Sequence, residues 1–326
     1  MRRISKAFSL LILVVVLMVS SIGCDSNTAE QGGGNISKIA TNQPGQNWMT
    51  LGSALSEYLK GTIDLSVEPG STYGNVITTN NGETQYGITA ATSISSAMQG
   101  VRYFEKYGKQ ENVRFVASLY RHYLRSITVK DDINTYADIK GKSVTFGPPG
   151  GESFDYGPLI LSYYGLQEGD YTVKTMPFGD AAEAMKNGQL DVIMNCSPFP
   201  FALFDDITQS SGGKAHLISL SEDMAKRLAS EWPGFEYTVY DLPDPIKFEK
   251  PFYSPFQQIT IIANKDVTED EIYKFTKCLY DNFEKLSGVV INLEQIGGKE
   301  NLVYNPAKIP LHPGAEKFYQ ETGLLK

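Results

Sequence analysis

The apolar positions of this chain change period several times, and each change marks an element. Ile36 to Ala40 reads as a short strand, and after a loop with Pro44 and Gly45 the residues Met49, Leu51, Leu55, Tyr58 and Leu59 share one helical face. Leu65 to Glu68 and Tyr86 to Thr89 are the next predicted strands, separated by a helix that starts near Tyr73 and stops at Asn81-Gly82. The same grammar returns in the middle: a strand over Ser143 to Phe146, a helix ending at Tyr164-Gly165, and a strand over Thr172 to Met176. A helix opening at Asp180 and a strand over Leu190 to Met194 complete this stretch. Asp180 with Glu183 suits a capped helix start, and Asn187-Gly188 suits its end. Further on, Gln258 to Ala263 predicts a strand. Thr268-Glu-Asp-Glu271 then reads as a capping box for a helix whose Ile272, Phe275, Leu279, Phe283 and Leu286 share a face.

Strands alternating with helices predict an α/β fold with a parallel sheet. The first α/β stretch is divided from the second by Ile127-Thr-Val-Lys130 and the Asp131-Asp132 turn, and the chain returns through Gln258 to Ala263. Two α/β bodies joined by two extended segments describe a hinged two-domain protein with a cleft: 36–128 plus 258–326 as domain 1, and 129–257 as domain 2. Ligands in open α/β sheets sit outside the carboxyl ends of strands, and hinge closure around a ligand is a known motion. Two glycine-punctuated segments, Gly147 to Ser153 and Phe178 to Gly188, each set a loop against a helix start. Helix-start amides of this kind can hold a small anionic group.

The N-terminus adds a location. Arg2, Arg3 and Lys6 precede an apolar run from Leu10 to Val19 that closes on Ser21-Ile-Gly-Cys24, the layout of a secretory signal over residues 1–23. An uncleaved anchor is the alternative, but the run is shorter than the roughly 20 residues a bilayer crossing needs. Residues 24–35 are polar and glycine-rich, as a flexible tether is. Loss of the first 23 of 326 residues also removes three cations, taking the net charge from -8 to about -11, which argues against nucleic acid as partner. Cys196 and Cys278 lie in different segments and form no disulfide framework. His122, His216 and His312 are scattered without metal-ligand spacing, and no nucleophile triad or phosphate-binding fingerprint is present. No cofactor is implied.

Three motifs in order then carry a resemblance. Lys140-Gly-Lys-Ser-Val-Thr-Phe-Gly-Pro-Pro-Gly150, Phe178-Gly-Asp-Ala-Ala-Glu-Ala-Met-Lys-Asn-Gly-Gln-Leu-Asp191 and Ile309-Pro-Leu-His-Pro-Gly-Ala-Glu-Lys-Phe-Tyr319 resemble the TAXI family of TRAP-transporter solute receptors from about Ile36 to Gly323. Cys24 behind Ile-Gly resembles a bacterial lipobox, which implies lipidation of Cys24 and a cell-membrane anchor on an extracytoplasmic protein. The family resemblance implies the type II periplasmic-binding-protein fold and no catalysis. It also implies delivery of a small solute, typically a carboxylate or acidic amino acid, to a TRAP-type membrane permease. Its first ligand loop aligns with Thr41, Asn42, Gln43, Asn47 and Trp48, where Trp and Met stand in for the family's paired tyrosines. Its next turn matches Gly70-Ser71-Thr72 with Asn75, and a following polar loop is reduced to Ala90-Ala91-Thr92. The central loop appears as Gly150, Gly151, Glu152 and Ser153, with a carboxylate inserted at Glu152, and Phe199-Pro200 replaces a Tyr-Pro. Phe178 and Asn195 complete the candidate ligand contacts.

Each candidate has a plainer alternative. Gly150 to Ser153 could be an ordinary strand-to-helix turn, and Thr72 and Asn75 could cap a helix. Arg125 could clamp a carboxylate with two hydrogen bonds or be a surface arginine. Trp48 and Phe199 could wall the ligand from opposite domains or pack in cores. Glu152 either faces the cleft, where it would repel a dicarboxylate and attract an ammonium or hydroxyls, or faces outward as an acidic residue favoured by the helix dipole. The alternative receptor serves an ABC transporter or a sensor kinase; an enzyme and an adhesin are the rivals from other classes.

Overall fold

Two long strands, of 16 and 12 residues, lie side by side in the middle of the sheet. The computed structural model describes residues 36–325 apart from Leu242. The signal segment, the tether and Cys24 lie outside the described residues. In the first part of the chain, β1 (Ser37–Ala40), α1 (Asn47–Leu59), β2 (Leu65–Glu68), α2 (Thr72–Asn80), β3 (Tyr86–Ala90) and α3 (Ala91–Gln99) alternate, and β4 (Val113–Thr128) follows. The middle holds β5 (Ser143–Thr145), α4 (Ser153–Tyr163), β6 (Thr172–Val173), α5 (Phe178–Lys186), β7 (Val192–Ser197), α6 (Ala202–Ser210), β8 (His216–Ile218), α7 (Glu222–Glu231) and β9 (Phe235–Val239). The chain returns through β10 (Tyr253–Asn264) to α8 (Glu269–Asp281), α9 (Phe283–Val289) and α10 (Pro313–Glu321).

The sheet order is β2-β1-β3-β10-β4-β7-β5-β6, with β8 beside β4 and β9 beside β10. The strands of the two α/β repeats pair in parallel, β1 with β2 and β3, and β5 with β6 and β7, as the alternation of strands and helices predicts. The sheet as a whole is mixed, because β10 runs antiparallel to β3 and β4, and β4 antiparallel to β7. Sequence reading started the returning strand at Gln258, but it begins five residues earlier, at Tyr253. The segment 127–130 taken as a connector is partly the end of β4.

Four apolar clusters fill the two faces. One face of the first part is packed by Leu51 and Leu55 of α1 with Phe275 and Leu279 of α8, and the other by Val76 of α2 with Ile94 of α3. In the second part Ile160 of α4 and Leu228 of α7 pack one face, while Ala182 and Met185 of α5 with Ile207 of α6 pack the other. All five apolar residues predicted to share a face after Thr268 are buried, although that helix breaks at Asn282 and resumes as α9. The capping box there is half made. Thr268 accepts from the Glu271 amide at 3.2 Å, while the Glu271 carboxylate turns away to accept from Ser37 and Tyr86. The expected cap at Asp180 is absent: α5 opens two residues earlier, behind Pro177, and Asp180 falls inside its first turn.

Phe275 carries the packing of α8 on the sheet. Its ring is fully buried and stacks on Tyr86 of β3 at 4.3 Å between centroids. Phe275→Ala is expected to destabilise the chain by about 3–5 kcal/mol, through lost burial and a residual cavity. Urea unfolding monitored by circular dichroism checks this, and a loss below about 1 kcal/mol would show that the α8 face is not part of the core.

Candidate functional site

The loops that leave the carboxyl ends of the strands hold most of the candidate residues. Thr41 and Asn42 follow β1, Ala91 and Thr92 follow β3, Gly147 to Ser153 follow β5, and Phe199 follows β7. This is the edge at which open α/β sheets bind ligands.

Glu152 lies at the centre of the polar contacts there. It is the residue before α4, is only 6% exposed, and points at α3. One carboxylate oxygen accepts from the Thr92 hydroxyl at 2.7 Å and the Ser93 hydroxyl at 2.9 Å, and the other faces the Gln257 side-chain amide. The Thr92 hydroxyl also faces the Gln257 amide oxygen, so Glu152, Thr92 and Gln257 close a ring. Burial pushes the Glu152 carboxyl above the usual carboxylate range; the three donors pull it down, and Asp155 one turn along α4 pushes it up again. Both readings of Glu152 from sequence are thereby refined: it faces inward, and its neighbours are the protein's own hydroxyls and amide. Ser93 and Gln257 escaped the sequence reading. The signal for Gln257 was an amide pair, Gln257-Gln258, inside a strand buried at eleven of its twelve positions.

The segment after α7 closes over the same place. Trp232 donates from its indole nitrogen to the Thr92 carbonyl at 3.2 Å. Gly234, at a φ of +101°, lies so close to Ala91 and Thr92 that a Cβ there would sit 2.7 Å from the Thr92 nitrogen.

Several candidates are committed to backbone structure. Asn75 is buried; its Nδ2 donates to the Thr41 and Ile88 carbonyls at 2.6 and 2.7 Å, and its Oδ1 accepts from the Ser71 amide at 3.1 Å. Its role is to fasten α2 to β1 and β3, and its polar atoms are occupied in doing so. Thr41 is buried with its hydroxyl on the Glu68 carbonyl at 3.0 Å. Asn42 accepts from the Met49 amide at 2.9 Å, and Gln43 donates to the Gly70 carbonyl at 3.1 Å. Thr72 is the first residue of α2, whose start is capped by Ser71, and the Thr72 carbonyl accepts from Thr89. Gly150, at a φ of +81°, and Gly151 form the turn ahead of Glu152, and the Ser153 hydroxyl accepts from Tyr156 at 3.0 Å. The Phe178 ring lies directly over Gly147, where a Cβ would collide with it.

The expected aromatic sandwich does not form. Trp48 is the second residue of α1 and not on a loop; it is buried in the first core and stacks on His122 at 6.2 Å. Burial lowers the His122 imidazole to about 3, so it is neutral at ordinary pH. Phe199 meets Tyr240 edge-on at 6.5 Å instead. The start of α1 and the segment after β7 are joined by polar groups: Asn47 donates to Asn292 at 2.5 Å, and Asn292 donates to the Phe199 carbonyl at 2.7 Å. Asn195 is buried near the end of β7, opposite Arg125 in the strand register.

Arg125 is neither exposed nor free. Its side chain is wholly buried and pairs with the equally buried Asp244 at 2.5 Å, while a second nitrogen donates to the Pro198 carbonyl at 3.0 Å. Tyr240 donates to the same Asp244 oxygen at 2.8 Å. The segment ahead of β10 therefore supplies, through Asp244, the counter-ion of the arginine expected to clamp a ligand.

Among the described residues no group of His, Cys, Asp or Glu is placed to hold a metal ion. Cys196 is buried and Cys278 half-buried, both as free thiols. A surface depression of about 350 Å³ beside Lys60, Asp64 and Ser66 lies at the amino ends of β1 and β2, away from the loops described above.

Removing one partner of a buried ion pair strands the other. Asp244→Ala is expected to lower stability by about 3–5 kcal/mol, and Arg125→Met combined with Asp244→Leu by less than the sum of the single changes. A double-mutant cycle in urea measures this; additive losses would show that the pair is not coupled.

Comparison with known proteins places this geometry. The chain is similar in fold to XAC2383 from Xanthomonas citri bound to chloride, at 8% identity and a TM-score of 0.50, covering 89% of this chain and 97% of that one. It is also similar to the alkanesulfonate-binding protein SsuA from Xanthomonas axonopodis pv. citri bound to MOPS (13% identity, 89% and 94% covered, TM-score 0.48). A third similar structure is the amino acid ABC transporter substrate-binding protein AbpA from Streptococcus pneumoniae bound to L-arginine (13% identity, 79% and 93% covered, TM-score 0.44). The mixed α/β fold is the one this chain shares with XAC2383. The sequence pattern of the NMT1-like family matches residues 39–323, and the chain belongs to that family.

Proposed function

We propose that this chain is an extracytoplasmic solute-binding receptor that closes around a small polar or carboxylate-bearing molecule and hands it to a membrane permease. One observation carries the reading: loops from both α/β parts meet at the carboxyl ends of their strands, with Glu152 of one part on Thr92 and Ser93 of the other and on Gln257 of the shared strand β10. Membership of the NMT1-like family and the solute-binding fold support it. The chemistry is binding alone, without bond cleavage: the only buried thiol described, Cys196, is held well above its ordinary pKa by burial and has no general base among its hydrogen-bond partners.

The permease class separates two readings. The NMT1-like match stands nearer to an ABC-type importer. The three ordered motifs around Gly150, Phe178 and Pro310 favour a TRAP-type permease of the TAXI group. Receptor-dependent uptake into membrane vesicles of the host decides between them: dependence on ATP supports the first, and dependence on an ion gradient without ATP supports the second. In either setting Cys24 serves as the lipid attachment point, which mass spectrometry of the detergent-extracted protein would show as an acylated N-terminal peptide.

A panel of organic acids, amino acids and sulfonates tests the receptor reading by melting temperature. A true cargo at about 100 times its dissociation constant stabilises by about 2.7 kcal/mol, a rise of roughly 4 °C for a chain of this size. Turnover of the stabilising compound, or no shift with any compound that co-purifies, would overturn the assignment.

A further inference from the structure

The contacts around Glu152 contain one proton fewer than they need. Four contacts link Glu152, Thr92, Ser93 and Gln257, and each requires a hydrogen. Ser93 supplies one to Glu152, and the Gln257 amide supplies one to the other Glu152 oxygen. Thr92 has a single hydroxyl hydrogen but faces two acceptors, a Glu152 oxygen and the Gln257 amide oxygen. Exchanging the Gln257 nitrogen and oxygen does not cure the deficit. The amide then donates to Thr92 and Thr92 to Glu152, but the Gln257 oxygen is left against a Glu152 oxygen. In either orientation the ring closes only with a hydrogen on the carboxyl.

We propose that this arrangement binds a proton at Glu152, so that the residue sits against the start of α3 as a neutral acid. The groups around it agree. All its hydrogen-bond partners are neutral, and on its own helix Asp155 adds a negative charge while donating nothing. Tyr156 of α4, Cys196 of β7 and Tyr73 of α2, whose hydroxyl bonds Asp155 at 2.6 Å, are all held protonated by burial and by the carboxylates. Arg102, the cation that bears on Tyr73, is spent elsewhere: its guanidinium lies 4.1 Å over the Trp232 ring and donates to the Glu231 carbonyl. The dipole of α3 favours an ionised carboxylate, but Glu152 meets side-chain hydroxyls there and not the amide hydrogens through which that dipole acts most strongly.

A carboxyl whose pKa is raised in the folded chain contributes stability that is complete below its ordinary pKa and is lost as pH rises through the folded-state value. Glu152→Gln removes this dependence, because its amide can donate to both Thr92 and Ser93 while its oxygen accepts from Gln257. The melting temperature of E152Q minus that of the full wild-type chain is therefore expected to rise between about pH 5 and pH 8. A difference that is flat, or that falls with pH, would overturn the proposal. Infrared spectra of the wild-type chain serve if E152Q fails to fold: a protonated-carboxyl stretch persisting above the range in which exposed carboxyls ionise supports it, and no such band overturns it. Only the consequence for cargo, that it is held beside a neutral acid, rests on the receptor reading. Both measurements are made without cargo, so a pH effect with no ligand found would sink the receptor and spare the proton.

Discussion

Everything in the described chain depends on the pairing of β4 with β10. These strands are antiparallel from Val113 opposite Asn264 to Arg121 opposite Gln258, and there they part. A backbone that leaves its partner inside a protein has to find another. Beyond the fork β4 takes β7 and β8, and β10 takes β9. The second set of strands and helices is built on those new edges, while the first stays on β3. Ser254 spans the fork by donating from its side chain to the Leu124 carbonyl at 3.0 Å. The register shift next to Gln258 is the local adjustment that accompanies the parting. Gln257, one residue beyond the last β4 pair, is thus placed where both parts can reach it.

That origin explains what was legible in the sequence. The repeated strand-helix units were plain, because each short strand has its own apolar run and each helix a periodic face: β2 matches its predicted bounds, and β1, β3 and α2 start within a residue of theirs. The fork was not legible. Tyr253 to Gln257 contains Pro255 and a polar pair, which reads as loop, yet as an outer partner of β9 it is strand. The start of α5 was misplaced because Asp180 looks like a cap, whereas Pro177 fixes the entry two residues earlier.

The candidate site divides along similar lines. Loops at the strand ends were found by position, and Glu152, Thr92, Ser153 and Phe199 do lie there. The functional weight of single polar residues was harder to read, since Asn75 and Thr41 look like ligand contacts until their hydrogen bonds are counted and found to be internal. Arg125 shows the reverse difficulty. Its counter-ion Asp244 lies 119 positions away in a loop without any periodic pattern, so no local signal could announce the pair.

Two buried carboxyls sit at this edge, Asp244 at Arg125 and Glu152 at the start of α3. They differ in charge compensation. Asp244 has a full cation against it, and displacing it would leave a buried guanidinium to be paired again. Glu152 has only hydroxyls and an amide against it, each a neutral partner. On the reading proposed above, cargo is held beside a neutral acid here, so the energetic difference between cargoes at this position lies in hydrogen-bond satisfaction rather than in net charge.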